Sequence, residues 1–419
     1  MTQDAHAPRD PAQTLHDVLI VGGGLVGASL AIALDRSGLN VGLIEAAPPG
    51  ALPAAFDERN LSFAEATVNA LGALGVLQKL RAPSGAIRRI HISRRGDFGR
   101  SLLDAQRYGR DEFGRVVTAR DFGEALEARL AELPRLQRYR PVRFVGLAEG
   151  DDATRAIRVA DGAGERTLRT RLLVAADGTR SGVREALGIG ADEHDYQQTL
   201  FVSRLRAERA PDGTAYERLG EGGPTALLPR GDGHYGLVHG VRRELADAVA
   251  GLDEAGFLAQ VQDAFGWRVG RLLSCGARNA YPAIRVLAQR RLAPRALLVG
   301  NAAQTIHPIG AQGFNLGLRD ALTLAELIEA ARVADGAVDA GAAPLLDAYE
   351  RRRGEDRERT IAFSDGLARI TAHASPLLRP LRSLGLFAAD RLPSAQAYLV
   401  GGAMGYRGDV PALCRGAQA

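Results

Sequence analysis

The sequence predicts an α/β protein with a doubly wound, Rossmann-like domain, a second domain of antiparallel sheet, and helices at the C-terminus. Three observations predict it. A strand, a glycine-rich turn, a helix and a second strand follow one another at 17–46. Strand-like runs alternate with turns across 195–275, and after residue 300 a bare loop opens into long helical stretches. With 419 residues, 46% hydrophobic and 24% charged, the chain outgrows one compact core, so two domains are expected.

The first element is DVLIVGGGLVGASLAIALDRSGLNVGLIEA, 17–46. Val18 to Val21 form an apolar, β-branched strand. Gly22, Gly24 and Gly27 then fall where that strand must turn into a helix: the first for the sharp turn, the second for close approach of a pyrophosphate, the third for helix–strand packing. The pyrophosphate would meet free N–H groups at a positive helix end. Val26, Leu30 and Leu34 mark the apolar face, and Gly38 suits the helix stop. Glu45 closes the next strand, where a carboxylate accepts hydrogen bonds from adenosine ribose hydroxyls. This combination predicts FAD or NAD. A second GxGxxG, Gly231, Gly233 and Gly236, sits between two alternating strands with no helix after it, which reads as a hairpin and not an anion site.

Composition excludes several classes. Lys79 is the single lysine and follows Gln78, so neither a phosphate loop of the GxxxxGK type nor a Schiff-base lysine is available. Cys275 and Cys414 form no disulfide framework or metal motif, which suits a reducing compartment. No metal site is expected, and His307 reads as a residue ordering its loop. The net charge of +4 and pI near 9.3 come from arginines scattered among acids, as in RRRGEDRER (351–359), so no nucleic-acid partner is expected. The first fifteen residues carry no apolar h-region and no apolar run reaches eighteen residues, so a cytoplasmic protein is expected.

Two further strand–turn–helix passages follow. RTRLLVAADGTRSGVREALG (169–188) puts Asp177 and Gly178 at a strand end, with Ser181 as an N-cap. RALLVGNAAQTIHPIGAQGFNLGLRD (295–320) ends its strand at Gly300-Asn301 and starts a helix near Gly313.

These pieces together resemble the single-component FAD-dependent aromatic hydroxylases, which share the para-hydroxybenzoate hydroxylase fold. GNAAQTIHP, QGFNLGLRD, AFGWRVG, GPTALLP and YERRRGEDRERTI are similar to the ubiquinone-biosynthesis branch of that family. The resemblance implies a discontinuous FAD-binding domain of 16–85, 105–192 and 276–370. It implies a substrate-binding β-sheet domain of 86–104 with 193–275, and a helical tail of 371–419.

It further implies FAD held by Gly22, Gly24, Gly27, Glu45, Arg59, Arg120, Asp177, Gly178, Gly300, Asn301, Gly313, Phe314 and Asn315. Pro308, Gly310, Gln312 and Gly313 would surround the flavin and its C4a-hydroperoxide, with no dedicated acid or base. Asn301 replaces the family's aspartate, and Gly310-Ala311 swaps its Ala-Gly, which matters if Ala311 needs positive φ. Tyr216, Leu228, Pro229 and His239 would line the substrate pocket, while Trp267 reads as core.

The implied activity is NAD(P)H- and O2-dependent hydroxylation of a hydrophobic polyprenylated (methoxy)phenol. Hydroxylation of another phenol or ring position stays open, as does a non-catalytic FAD-binding subunit of a quinone-synthesis complex. The tail, with leucines set among arginines and prolines, is expected to pack on the body. Peripheral contact with the inner membrane or a quinone-biosynthesis complex is the alternative.

Overall fold

The computed structural model describes residues 15–53, 57–336, 338–372 and 379–416. Five parallel strands form the centre of the first sheet, in the order Ala296–Leu298, Gly164–Ala175, Leu15–Val21, Val41–Ile44, Gln137–Tyr139. The first strand pairs Val18 with both Leu172 and Val41, so the chain direction of winding reverses beside it, where such sheets bind ligands. Antiparallel strands Thr154–Asp161 and Arg143–Asp151 extend this sheet from 164–175.

The fingerprint helix, Leu25–Leu34, is buried on every side from Gly27 to Leu34. It lies between the parallel sheet and the long helix Gln312–Asp335, which explains why its sequence is apolar all round. Each Leu or Ile hidden in this way contributes about 1.5–3 kcal/mol. The Asp35–Ser37 turn and Gly38, at φ 68°, end the helix as its sequence predicts.

The second sheet has nine strands, all but one pairing antiparallel, with 214–219 and 89–94 parallel. Its centre is Ala191–Ala207, Tyr235–Arg242, Thr225–Pro229 and Thr214–Leu219, flanked by Arg89–Arg94 and Arg100–Asp104. The rejected glycine motif is the turn between 225–229 and 235–242, a hairpin. Strand Asn279–Ala288 pairs with 191–207 from Ala191↔Ala288 to Val202↔Asn279. The boundary expected at 275/276 therefore cuts through this sheet, and 279–288 belongs with the antiparallel strands. One face of the sheet buries Phe201, Leu227, Tyr235 and Leu237 against Phe257, Val261 and Phe265 of helix Glu254–Phe265. Trp267, expected in the core, is 67% exposed just beyond that helix.

Helices Ala343–Ala372, Arg379–Arg391 and Pro393–Met404 complete the C-terminal part. The tail packs on the body: Leu102 N–H donates to Asp390 at 2.8 Å, and Val400 and Met404 join a core with Leu103 and Ala215. Beyond them, Asn69 Nδ2 donates to Cys414 O at 3.2 Å and buries that cysteine. No helix among the described residues is long and apolar enough to cross a membrane.

Candidate active site

Three loops converge where the parallel sheet changes direction. At Gly22, φ is 107°, and a Cβ there would lie 2.5 Å from the Ala176 carbonyl oxygen and 2.9 Å from Asp177 Cα. A Cβ at Gly27 would run into the Gly22 carbonyl, and one at Gly300 would meet Val26 Cγ2 at 2.9 Å. The glycines are thus required by backbone packing among the fingerprint turn, the Asp177-Gly178 turn and the 300–315 loop. No side chain caps the fingerprint helix at Gly24, and no acid stands in its first turn. Its N–H groups are free for an anion.

Glu45 follows its strand directly. Its Oε2 accepts from Gly23 N–H at 2.9 Å and its Oε1 from Ala47 N–H at 2.7 Å. Each oxygen keeps a lone pair, enough for two ribose hydroxyls. Asp177 accepts from the Ser181 hydroxyl and from Val183 N–H at 3.1 Å, which fixes the start of helix Gly182–Ala186. Burial raises its carboxyl above the ordinary range, outweighing these bonds and Arg184. Arg184 ties the two later loops together: it donates to Ala302 O and to Thr179 O, both at 3.0 Å. Thr179 and Thr305 hydroxyls meet at 2.8 Å.

In the 300–315 loop, Asn301, Pro308 and Gly310 are exposed, while Ala302, His307 and Ile309 are buried. Gly310 has φ 71° and Ala311 φ 51°, so the swapped pair does require two left-handed residues. Ala311 meets that requirement at a steric cost of about 1–2 kcal/mol. Helix Gln312–Asp335 begins directly after, with no side-chain cap and no first-turn acid. Gly313 and its neighbours therefore offer a positive helix end to an electron-rich partner.

His307 accepts from Ile309 N–H on Nδ1 at 3.1 Å, which leaves Nε2 to donate to Gln198 Oε1 at 3.2 Å. Burial lowers its pKa to about 4, so it stays neutral and orders the loop.

Several expected cofactor contacts are otherwise engaged. Asn315 is 1% exposed, and its amide is fully used by Ala64 N, Thr67 Oγ1, Ser62 O and Ala311 O. With no capacity left, it pins the helix start to strand Asn60–Ala64 and cannot contact FAD through its side chain. Phe314 packs its ring on Phe63 and Phe122 at 5.4 and 5.2 Å, as core. Gln312 is buried and donates to Gly310 O at 3.1 Å, holding the turn. Arg120 pairs with Glu58 at 2.9 Å on the surface. Arg59 pairs with Asp57 and lies over the Tyr281 ring at 4.9 Å, at the seam between the two sheets.

The antiparallel sheet presents its other face to these loops. Gln198 on that face meets His307, and Leu219 and Ile92 pack with Ile309. Of the four expected lining residues, Leu228 alone points this way. Tyr216 packs on Phe265 and His91 at 5.6 and 5.8 Å, on the helix side. His239 bonds Thr225 at 2.9 Å and, with Gln260, lines a cavity of about 640 Å³. Pro229 pairs with Tyr235, again on the helix side. Strand alternation makes the correction: residues two apart share a face, and Tyr216, Leu227, Leu237 and His239 share the wrong one.

Sequence reasoning also missed what lies behind the loop. Asp320 is fully buried and accepts from Gln304 Nε2 at 2.6 Å, Gly300 N at 3.4 Å and Arg353 Nε at 2.9 Å. Arg353 reaches Asp356 at 2.7 Å, and Asp356 receives Arg319 at 2.7 and 3.0 Å. Burial works to raise the Asp356 carboxyl, but Arg319 and Arg353 outweigh it and hold it below its usual range. RRRGEDRER, where arginines are scattered among acids, thus places two of its charges in the interior.

A profile of the FAD binding domain family matches residues 16–364. The ubiquinone hydroxylase UbiL of Rhodospirillum rubrum is 35% identical over 397 residues, 94% of this chain and 90% of the relative. The chain belongs to this FAD-binding family. The 3-demethoxyubiquinol 3-hydroxylase of Escherichia coli is 30% identical across 90% of this chain and 95% of its own. The crystal structure of p-nitrophenol 4-monooxygenase PnpA from Pseudomonas putida superposes with a TM-score of 0.74 at 20% identity. It covers 94% of this chain and 98% of that one, and shares the fold.

The protein is a flavin monooxygenase, with FAD supplying the redox chemistry from NAD(P)H to O2. The residues present fit that cofactor. The cradle at Gly22, Gly24 and Gly27 admits no Cβ at two of its positions, Glu45 retains acceptor sites, and Asn301 presents an exposed amide.

Proposed function

We propose that this enzyme hydroxylates the aromatic ring of a polyprenylated phenol, a ubiquinone precursor. The carrying observation is the wall opposite the 300–315 loop. Ile92, Leu228 and Val238 on that face are only half-buried, Ile92 beside Ile309 of the loop and Leu228 toward the Val400 and Met404 cluster, so apolar surface on this face stays accessible near the loop that would hold the flavin edge. An apolar cleft with few polar groups suits a ring bearing an isoprenoid chain. The likeness to UbiL across 94% of the chain supports the same reading.

The residues named divide the work. The fingerprint turn and Glu45 would hold the adenosine half of FAD, and the Gly310–Gly313 backbone its flavin edge. His307 and Arg184 hold the loop in place while the apolar wall excludes water.

Exposed Phe98, Leu384, Phe387 and Leu392 lie on or beside helix Arg379–Arg391, where Gly99 abuts Ser383. They would bring the protein to a membrane surface carrying the substrate.

The deciding experiment is NAD(P)H oxidation by FAD-loaded protein, with and without a short-chain prenylated methoxyphenol under labelled O2. Stimulated oxidation with one labelled oxygen in the ring is expected. Bound flavin with no stimulation by any phenol would overturn the reading and leave an FAD-binding assembly subunit.

A further inference from the structure

We propose that Glu217 holds the ring hydroxyl of the phenol substrate and so sets which way the ring enters the cleft. The inference rests on the hydroxylase reading above and deepens it.

Strand Thr214–Leu219 alternates its side chains between two environments. Tyr216 faces helix Glu254–Phe265, so Glu217 faces the opposite way, with Ala215 and Leu219. Leu219 packs against Ile309 of the flavin loop. Across the sheet, Glu217 stands level with Ile92 on one side, then Ala226 and Val238 on the other. The carboxyl is therefore flanked across the sheet by apolar side chains alone, with Arg94 two residues beyond Ile92 on the same strand.

That carboxyl is half-buried, and no hydrogen bond or ion pair reaches it among the described residues. Burial pushes its pKa up to about 7. Titratable groups on the elements packed near this face are His307, Tyr196, Arg94, Arg407, and Asp365 with Arg285 and Arg369. None of them contributes to the shift, and Arg218 on the same strand points to the other side.

An unpartnered carboxyl in an apolar wall is costly, and a hydrocarbon side chain would fill the site more favourably. Once ionised, this carboxylate only accepts, so the partner that satisfies its charged form is a donor arriving from outside. A phenolic O–H is such a donor, and its bond to a carboxylate is short and charge-assisted. Drawing the proton toward Glu217 leaves more electron density on the phenol oxygen and ring. That is what an electrophilic oxygen transfer to the ring requires. The proton is shared in this arrangement and no bond is broken.

The test compares FAD-loaded wild type with Glu217→Gln and Glu217→Leu. A short-chain prenylated methoxyphenol and its O-methyl ether are titrated from pH 5.5 to 8.5, with flavin absorbance reporting binding. Wild type is expected to bind the phenol roughly tenfold more tightly as pH rises through 7, and the ether with no pH dependence. Glu217→Gln flattens the phenol profile and removes the same limb from kcat/KM. Glu217→Leu raises the melting temperature while weakening phenol binding, a pair of opposite signs that a structural role would not give. If Glu217→Gln keeps the wild-type pH profile while wild type is stimulated by the phenol, the role of Glu217 falls and the hydroxylase reading stands. If wild type neither binds nor is stimulated by any phenol, both fall.

Discussion

Replacing Asp320 by alanine separates what the buried ion network does for the loop from what it does for the fold. Asp320 and Asp356 are both inaccessible, and both hold Arg353, at 2.9 and 2.7 Å. Removing one member of a buried pair costs about 3–5 kcal/mol. After Asp320→Ala, Arg353 still has Asp356, so the loss falls near the lower end, about 3 kcal/mol. After Asp356→Ala, Arg319 loses the acid it pairs with and the loss moves toward about 5 kcal/mol. Flavin binding should rank them the other way. Only Asp320 touches the loop, through Gln304 at 2.6 Å and Gly300 at 3.4 Å. A hydrogen bond to a charged group is worth about 1.5–3 kcal/mol, and half of that reaching the cofactor is roughly four- to tenfold in affinity. Urea unfolding gives the stabilities, and fluorescence titration of the apoprotein with FAD gives the affinities. Equal flavin losses in the two variants, or FAD affinity in Asp320→Ala within about twofold of wild type, would refute the assignment.

Ala311→Gly relieves a left-handed alanine worth about 1–2 kcal/mol against roughly 0.5–1 kcal/mol of added chain entropy, so a gain near 0.5 kcal/mol is expected in the urea midpoint. Gly310→Ala, at φ 71°, reverses both terms and should lose about 0.5–1 kcal/mol in the same assay. Gly27→Ala forces a methyl into the Gly22 carbonyl, and purified protein should carry less than about a tenth of the wild-type FAD, read from its visible spectrum. Burial holds His91, His239 and His307 at about 4, with nearby arginines adding to the effect at His91. The unfolded chain binds more protons below about pH 6.5, so stability is lost as pH falls from there toward 4, by about 2 kcal/mol per histidine at pH 5. His239→Gln should flatten that slope by one proton in pH-dependent urea titrations.

The parts of this molecule written in glycine and in short-range alternation were legible from the chain. The turn at Gly22 and the hairpin at 231–236 each depend on a few adjacent residues, whereas the positive φ of Ala311 was only a condition raised by the swapped pair. What needed long-range information was not. In TALLP, Leu227 and Leu228 are both apolar although they face opposite sides, so the pattern could not tell Tyr216 from Glu217 as the cleft residue. Pro282 spoiled the strand signal of 279–288, yet it sits where the short strand Gln304–Thr305 does not reach, and its missing N–H leaves no broken ladder. Nothing in RRRGEDRER marks Arg353 and Asp356 as interior, because their burial depends on neighbours from distant segments, among them Arg319 and Gly408. Trp267 was assigned inward by residue type, although Gly266 just before it, at φ 88°, is the stop of the preceding helix.

Gln304 and Thr305 are a strand of two residues, paired with Leu287 and Val286 of the antiparallel sheet. Six residues earlier the same chain is still in the parallel sheet, at Leu298 beside Ala175. The 300–305 segment therefore passes directly from one sheet to the other within six residues. A shift of strand Asn279–Ala288 against the parallel sheet would have to be taken up, in part, between Gly300 and Thr305. A ligand bearing on that strand would then reach the backbone next to Asn301 through two residues of sheet, with no separate lid between them.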